Sequence, residues 1–488
     1  MRYLIKNGLV LAKDITKGFY KANIAVDGDI ISFIGSAVPT CQFDEVIDAQ
    51  DCIVIPGLVN AHLHSHDHFN KCGFDNLPLE LWMTLLRPFF SGILATKDEI
   101  YLRTLYGCIE MLKTGTTAII DDIVQTPYND EEKLDAIMRA YKKAGIRASV
   151  TSHIGNKPIE DTIPYLKEGY AKYGFVNSSN KQPDAKDIIA YAKSKLNKYN
   201  TPGAVQRYAV APSGPQRCTD ELITGLTDLA KTFRVPAVIH TLETYTQKKA
   251  GDYFFKKTLV RRLYDLGALN EYVNLIHCVW VTDDDIELIR KTGAKIVHNP
   301  SSNLKLGSGI APVRKFINAG IPVGIGTDNT SSNDSINLFF EMRASGLIHK
   351  IFTKDYKKWV GANEALQMGT IGGAECAGLD KEIGTIEAGK KADLVVLETK
   401  NEKYMPLNDY VKHLVFAENG SSVKHVFING DMVLKDKKIM TFDEREVIDE
   451  ISSLLPKIHS EQEQALKEAS ELMKCLEYAY ERANEDRQ

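Results

Sequence analysis

Through the middle of the chain, short runs of β-branched and aliphatic residues recur at 53–59, 116–121, 147–151, 207–211, 236–240, 273–277, 295–298 and 322–327. Their length and composition predict strands. Between most of them, at 99–113, 130–144, 185–199, 220–233 and 283–291, apolar side chains recur with the spacing of amphipathic helices. Alternating strands and helices build a parallel α/β fold, and eight such units predict a (β/α)₈ TIM barrel over residues 57–392.

The flanks have another rhythm. Residues 1–56 alternate short strand-like runs with turns such as Val26-Asp27-Gly28-Asp29, and residues 393–443 do the same with a turn at Asn429-Gly430. Neither piece has enough strands for a stable sheet, so both termini are expected to combine into one small β-sandwich beside the barrel. Residues 444–488 repeat apolar side chains at helical period, from Ile451 through Leu472 and Leu476 to Tyr480. They predict one long helix, or a hairpin if Pro456 breaks it. Its stripe is expected to pack on the chain's own barrel rather than on a second copy.

Composition adds mainly exclusions. The 44% hydrophobic and 25% charged residues are those of an ordinary globular chain, and 60 basic against 64 acidic side chains leave a net charge of −4. That balance argues against capture of nucleic acid or of an anionic membrane. The N-terminus lacks a signal-like apolar core, and no run approaches the roughly 20 apolar residues of a membrane helix, so a cytoplasmic location is expected. Eight cysteines without a C-x-x-C pair suggest buried free thiols, not a disulfide framework.

The chemistry begins at Pro56-Gly57-Leu58-Val59-Asn60-Ala61-His62-Leu63-His64. His62 and His64 stand two apart at the end of the first barrel strand, so both rings leave the same face and can share one divalent metal. An isolated H-x-H is common by chance. Here His240 ends the fifth strand, His277 the sixth and Asp328 the eighth, at the carboxyl ends from which barrel enzymes assemble their sites. Core histidines explain one such position, but not four with an aspartate at one rim, because unpaired buried polar groups are destabilising.

With these residues in place, the chain resembles the chlorohydrolase and aminohydrolase branch of the amidohydrolase superfamily, which includes triazine-degrading enzymes and adenosine-type deaminases. The likeness is carried by His277-Cys278-Val279-Trp280, by residues 298–306 (HNPSSNLKL), by Gly309-Ile310-Ala311-Pro312-Val313, by residues 326–334 (GTDNTSSND) and by residues 384–394 (GTIEAGKKADL). It implies that His62, His64, His240 and Asp328 bind the metal, with a coordination position left for water. Two-metal relatives carry a bridging lysine at the end of the fourth strand, where this chain has Ala211-Pro212-Ser213-Gly214, so a single ion is expected. Three nitrogens and a carboxylate suit Zn²⁺, and Fe²⁺ tolerates the same set.

The resemblance further implies that Asp328 takes the proton of a metal-activated water, that Glu243 passes protons to the ring and the leaving ammonia, and that His277 orients the attacking oxygen. Trp82, His153 and Ser213 are expected at the substrate. Adenosine-type deaminases place a histidine after the fourth strand, where Ser213 stands, and an arginine after the third, near Ser152; this departure counts against a nucleoside. His66 and His68 are left without a role, and His298 is expected to hold the loop at 299–306. Relatives often pair, which leaves a homodimer open.

The function expected is hydrolytic deamination of a small N-heteroaromatic ring of purine, pterin, pyrimidine or triazine type. One rival is a triazine-type hydrolase expelling chloride or an alkylamine from the same metal site. Another is a catalytically silent scaffold, which the complete ligand set disfavours. The zinc deaminases of the cytidine type are excluded by the lack of P-C-x-x-C, and a P-loop by the lack of G-x-x-x-x-G-K-[ST].

Overall fold

The computed structural model describes residues 1–86, 95–177 and 182–487. Eight parallel staves form the barrel: Leu58–His64, Thr116–Ile123, Arg147–Ile154, the pair Gln206–Tyr208 and Ala211–Pro212, Ala237–Thr241, Val273–His277, Lys295–His298, and the pair Val323–Ile325 and Asp328–Asn329. Each pairs in parallel with the next. The fourth joins the fifth through a bridge at Val210 and Ala237. Asp328 and Asn329 of the eighth lie beside Leu63 and His64 of the first, which closes the ring.

The staves are apolar on both faces because both are covered. Val59, Ala61, Ala118, Ile120, Val238, Ile276 and Val297 fill the interior, and the outward side chains meet the helices. Helices Ala185–Tyr199 and Asp220–Phe233 start where Asp184 and Thr219 accept from backbone N–H groups of the first turn. One strand expectation needs correction. The run 53–59 divides at Gly57: Cys52–Pro56 belongs to the terminal sheet, and the first barrel stave starts at Leu58 and reaches His64. Periodicity cannot see that division, because both halves are buried throughout.

The two termini share one nine-stranded sheet. Its join is the antiparallel pairing of Leu394–Glu398 with Cys52–Pro56, Val395 opposite Ile55, over a core that includes Ile24, Val54, Leu394 and Phe427. Glu444–Asn484 form one helix of 41 residues that runs through Pro456 without ending. Its Leu472, Cys475, Leu476 and Ala479 bury against Leu79, Trp82 and Met83 of the short helix Leu79–Leu86. All eight cysteines are free; six are buried, whereas Cys41 and Cys72 are exposed. Among the described residues, no helix is long and apolar enough to cross a membrane.

Candidate metal centre and active site

At the carboxyl rim of the barrel the first stave delivers His62 and His64, with ring centres 4.6 Å apart, and the fifth brings His240 to 4.8 Å from His62. Asp328 closes the cluster from the eighth stave, its Oδ1 3.4 Å from His62 Nε2 and 3.2 Å from His64 Nε2. Asp328 and His277 hold left-handed backbone at φ of 62° and 74°. Non-glycine residues adopt that conformation at a cost, and such strain concentrates where side chains are aimed for function. Gly326 lets the eighth stave come this close, because a Cβ there would stand 2.7 Å from that of His62 and collide with Asn299.

The donor set fits a divalent ion. His62 is fully buried, yet neither ring nitrogen has a hydrogen-bond partner, and His240 Nδ1 and His277 Nε2 are equally unmatched. Orphaned imidazole nitrogens converging on a carboxylate are what a divalent cation satisfies. Among the described residues, two groups of four have donor atoms all within 4.8 Å of one another: His62, His240, His277 and Asp328, and His62, His64, Asp122 and His240. The expected set of His62, His64, His240 and Asp328 straddles them. His64 donates from Nδ1 to the Asp122 carbonyl, which turns Nε2 toward the centre.

Electrostatics agree with a missing positive charge. Burial opposes its ionisation, but the adjacent imidazoles of His62 and His64, 3.4 Å and 3.2 Å from Oδ1, hold Asp328 well below the usual carboxylate range. His64 is likewise opposed by burial and is drawn up to about 9 by the Asp328 and Asp122 carboxylates. His62 is pushed down to about 4, chiefly by burial. The centre therefore holds acidic groups that favour a cation over neutral imidazoles alone.

Glu243, just past the fifth stave, has Oε2 3.6 Å from His277 Nε2, and burial pushes its carboxyl up to about 7. His277 donates from Nδ1 to Asn303 Oδ1 at 2.9 Å, leaving Nε2 facing Glu243 and Asp328. Glu243, His277 and Asp328 line one cavity with Trp82, His153 and Arg217.

The remaining sequence candidates fall unevenly. Trp82 is on the cavity wall. His153 also reaches it, but is not solvated: Nδ1 donates to Asp122 and Nε2 takes the Ser213 hydroxyl, each at 2.7 Å. Ser213 stands behind that imidazole and does not line the cavity. His66 accepts from Val124 N, and buried His68 bonds to the Arg103 carbonyl, so both hold structure. His298 meets the His349 ring nitrogen at 3.2 Å and ties the seventh stave to residue 349 rather than to the loop at 299–306. Sequence reasoning missed Asp122 and Arg217. Asp121 and Asp122, two acids ending a wholly buried strand, were a visible signal for the first; Arg217, in a loop after the fourth stave, left none.

Residues 53–433 match the sequence model of the Amidohydrolase family. The chain is 32% identical over 452 residues to the 5-methylthioadenosine/S-adenosylhomocysteine deaminase of Caldanaerobacter subterraneus subsp. tengcongensis, covering 92% of this chain and 97% of that protein. It is 30% identical to the 5′-deoxyadenosine deaminase of Methanosarcina mazei over 92% of this chain and 96% of the relative. Among solved structures, a zinc-bound adenosine deaminase from Xanthomonas campestris superposes with a TM-score of 0.82 at 25% identity, over 94% of this chain and 98% of that one. A zinc-complexed atrazine chlorohydrolase from Arthrobacter aurescens shares the fold, with a TM-score of 0.83 at 23% identity over 93% and 100% of the two chains.

Proposed function

The chain belongs to the amidohydrolase family and is a hydrolase acting on carbon–nitrogen bonds, and from that premise we propose that it is a metal-dependent aminohydrolase that releases ammonia from the exocyclic amino group of an adenine-type ring. The observation that carries this reading is Glu243, a carboxyl that burial raises to about 7, poised 3.6 Å from His277 in the cavity of the metal donors. A group of that pKa can both give and take a proton near neutrality, which deamination requires twice.

His62, His64, His240 and Asp328 would hold one divalent ion, zinc by the donor chemistry and by the zinc-bound structural neighbours. Such an ion supplies water acidic enough to act as hydroxide near pH 7. Asp328 would accept a proton from the attacking water. Glu243 delivers a proton to the ring nitrogen beside the carbon under attack, so the ring accepts the new C–O bond without accumulating charge. His277, fixed by Asn303, directs Nε2 at the attacking oxygen. The amino nitrogen would take the proton held on Asp328 and depart as ammonia when the C–N bond breaks, while the proton of the new hydroxyl returns to Glu243 and leaves the oxo ring.

The names of the relatives support an adenine-type ring. The cavity also offers an imidazole and a guanidinium to such a ring. The imidazole comes from the third strand as His153 and the guanidinium follows the fourth as Arg217, and both reach the same cavity. The test is to assay metal-loaded enzyme with aminopurines, their nucleosides and a chlorotriazine, following ammonia and chloride. Ammonia from an aminopurine compound is expected. Chloride release without any deamination would replace this reading with the chlorohydrolase one.

A further inference from the structure

One turn of the short helix Pro300–Lys305 touches three members of the site. Consecutive helical residues point about 100° apart, so neighbours in sequence reach different partners. The Ser301 N–H donates to Glu341 Oε2 at 3.2 Å, the Ser302 hydroxyl to Asp328 Oδ2 at 2.6 Å, and His277 Nδ1 to Asn303 Oδ1 at 2.9 Å. Ser302 is fully buried, and among the described residues its side chain makes that one hydrogen bond. Its distance from Asp328 is set from both ends. Glu341, which holds Ser301, also accepts from Asn333 Nδ2, and Asn333 Nδ2 donates at 2.7 Å to the carbonyl of Thr327, the residue before Asp328. Pairing with Leu63 and a left-handed φ of 62° fix the Asp328 backbone, but rotation of a carboxylate about its Cβ–Cγ bond is soft. Here it is held at one angle: Oδ1 lies toward His62 and His64, whereas Oδ2 lies at Ser302, 3.9 Å from His277 Nε2. A hydroxyl 2.6 Å from a carboxylate oxygen makes a short, charge-assisted hydrogen bond, stronger than the 3.3 Å contact of Asn329 Nδ2 with Oδ1.

We propose that Ser302 is a positioning residue that gives the two oxygens of Asp328 separate tasks, keeping Oδ1 with the metal donors and Oδ2 with the attacking water. Ser302 supplies one proton and a carboxylate oxygen has two lone pairs, so Oδ2 retains one for the proton that leaves the water. A side chain without the hydroxyl would let the carboxylate turn both oxygens toward the imidazole donors and surrender that acceptor. The inference rests on the deaminase reading, in which Asp328 takes the proton of the water.

The test compares wild-type enzyme with Ser302→Ala and Ser302→Thr, each loaded with zinc and, separately, with Co²⁺, whose visible absorption follows its ligands. On the aminopurine compound that wild type turns over best, Ser302→Ala should lower kcat about 10–100-fold, leave KM within about twofold and keep its metal content. Its Co²⁺ spectrum should shift. Ser302→Thr retains the hydroxyl and should restore both kcat and spectrum. A Ser302→Ala enzyme with wild-type kcat, or with kcat falling only in proportion to lost metal, overturns the assignment. So does a folded Ser302→Thr enzyme as slow as Ser302→Ala. If the variants fail to fold, a crystal structure of zinc-loaded wild type decides: Ser302 Oγ hydrogen-bonded to Asp328 Oδ2 supports the assignment, and a separation beyond about 3.5 Å overturns it. Ammonia from no aminopurine compound overturns the deaminase reading instead, and the Co²⁺ spectra and crystal structure still decide whether Ser302 sets the Asp328 carboxylate.

Discussion

Glu243 is the side chain on which the chemistry turns. Glu243→Gln keeps its size but cannot shuttle a proton, so kcat should fall by about 10²–10⁴-fold with metal content unchanged, as read by steady-state kinetics beside metal analysis. Unchanged kcat would remove Glu243 from the mechanism. A second buried acid makes a stability prediction. Glu341 accepts from Asn333 Nδ2 at 2.9 Å and from Ser301 N at 3.2 Å, and burial pushes its carboxyl from 4.5 up to about 7. A folded-state pKa above the unfolded one means that the neutral form stabilises the fold. That contribution is complete below about pH 4.5 and disappears as pH rises through about 7. Glu341→Gln should therefore flatten the fall in Tm between pH 5 and pH 8 in thermal melts, and an equally steep fall would show that other groups cause it.

At the scale of elements, the helix Leu79–Leu86 carries Trp82 to the active-site wall, and its eight residues draw support from outside. The C-terminal helix supplies that support through Leu472, Cys475, Leu476 and Ala479. Leu476→Ala opens a cavity under the short helix. It should cost about 2–4 kcal/mol in denaturant unfolding and raise KM more than it lowers kcat. A change in stability with unaltered KM would show that this packing does not position the cavity wall. Gly326 marks the opposite limit. Gly326→Ala would push the eighth stave from His62, and weaker metal retention in dialysis is expected before any large loss of helix content in circular dichroism.

For the molecule as a whole, ion and fold should be coupled, because the first, fifth and eighth staves converge on the proposed donors His62, His64, His240 and Asp328, all buried. Removing the ion with a chelator should abolish ammonia release and lower Tm, and stoichiometric zinc should restore both. Full activity at less than about 0.1 metal per chain would refute the proposed centre.

Much of this was legible along the chain. Alternating strand and helix patterns identified the barrel, and motifs such as His62-Leu63-His64 and residues 326–334 identified the family, because periodicity and ligand spacing are local properties. The division of 53–59 between two sheets was not legible, since a buried strand has the same composition whichever sheet receives it. Nor was the meeting of His153 with Asp122 and Ser213. These contacts join residues up to 60 positions apart, as His153 and Ser213 are. The sequence by itself determined which fold forms and which histidines and acids end its first, fifth, sixth and eighth staves. Only the tertiary structure decided which of them satisfy each other and which stay unmatched, because hydrogen bonding between distant segments depends on burial and approach that no local pattern encodes.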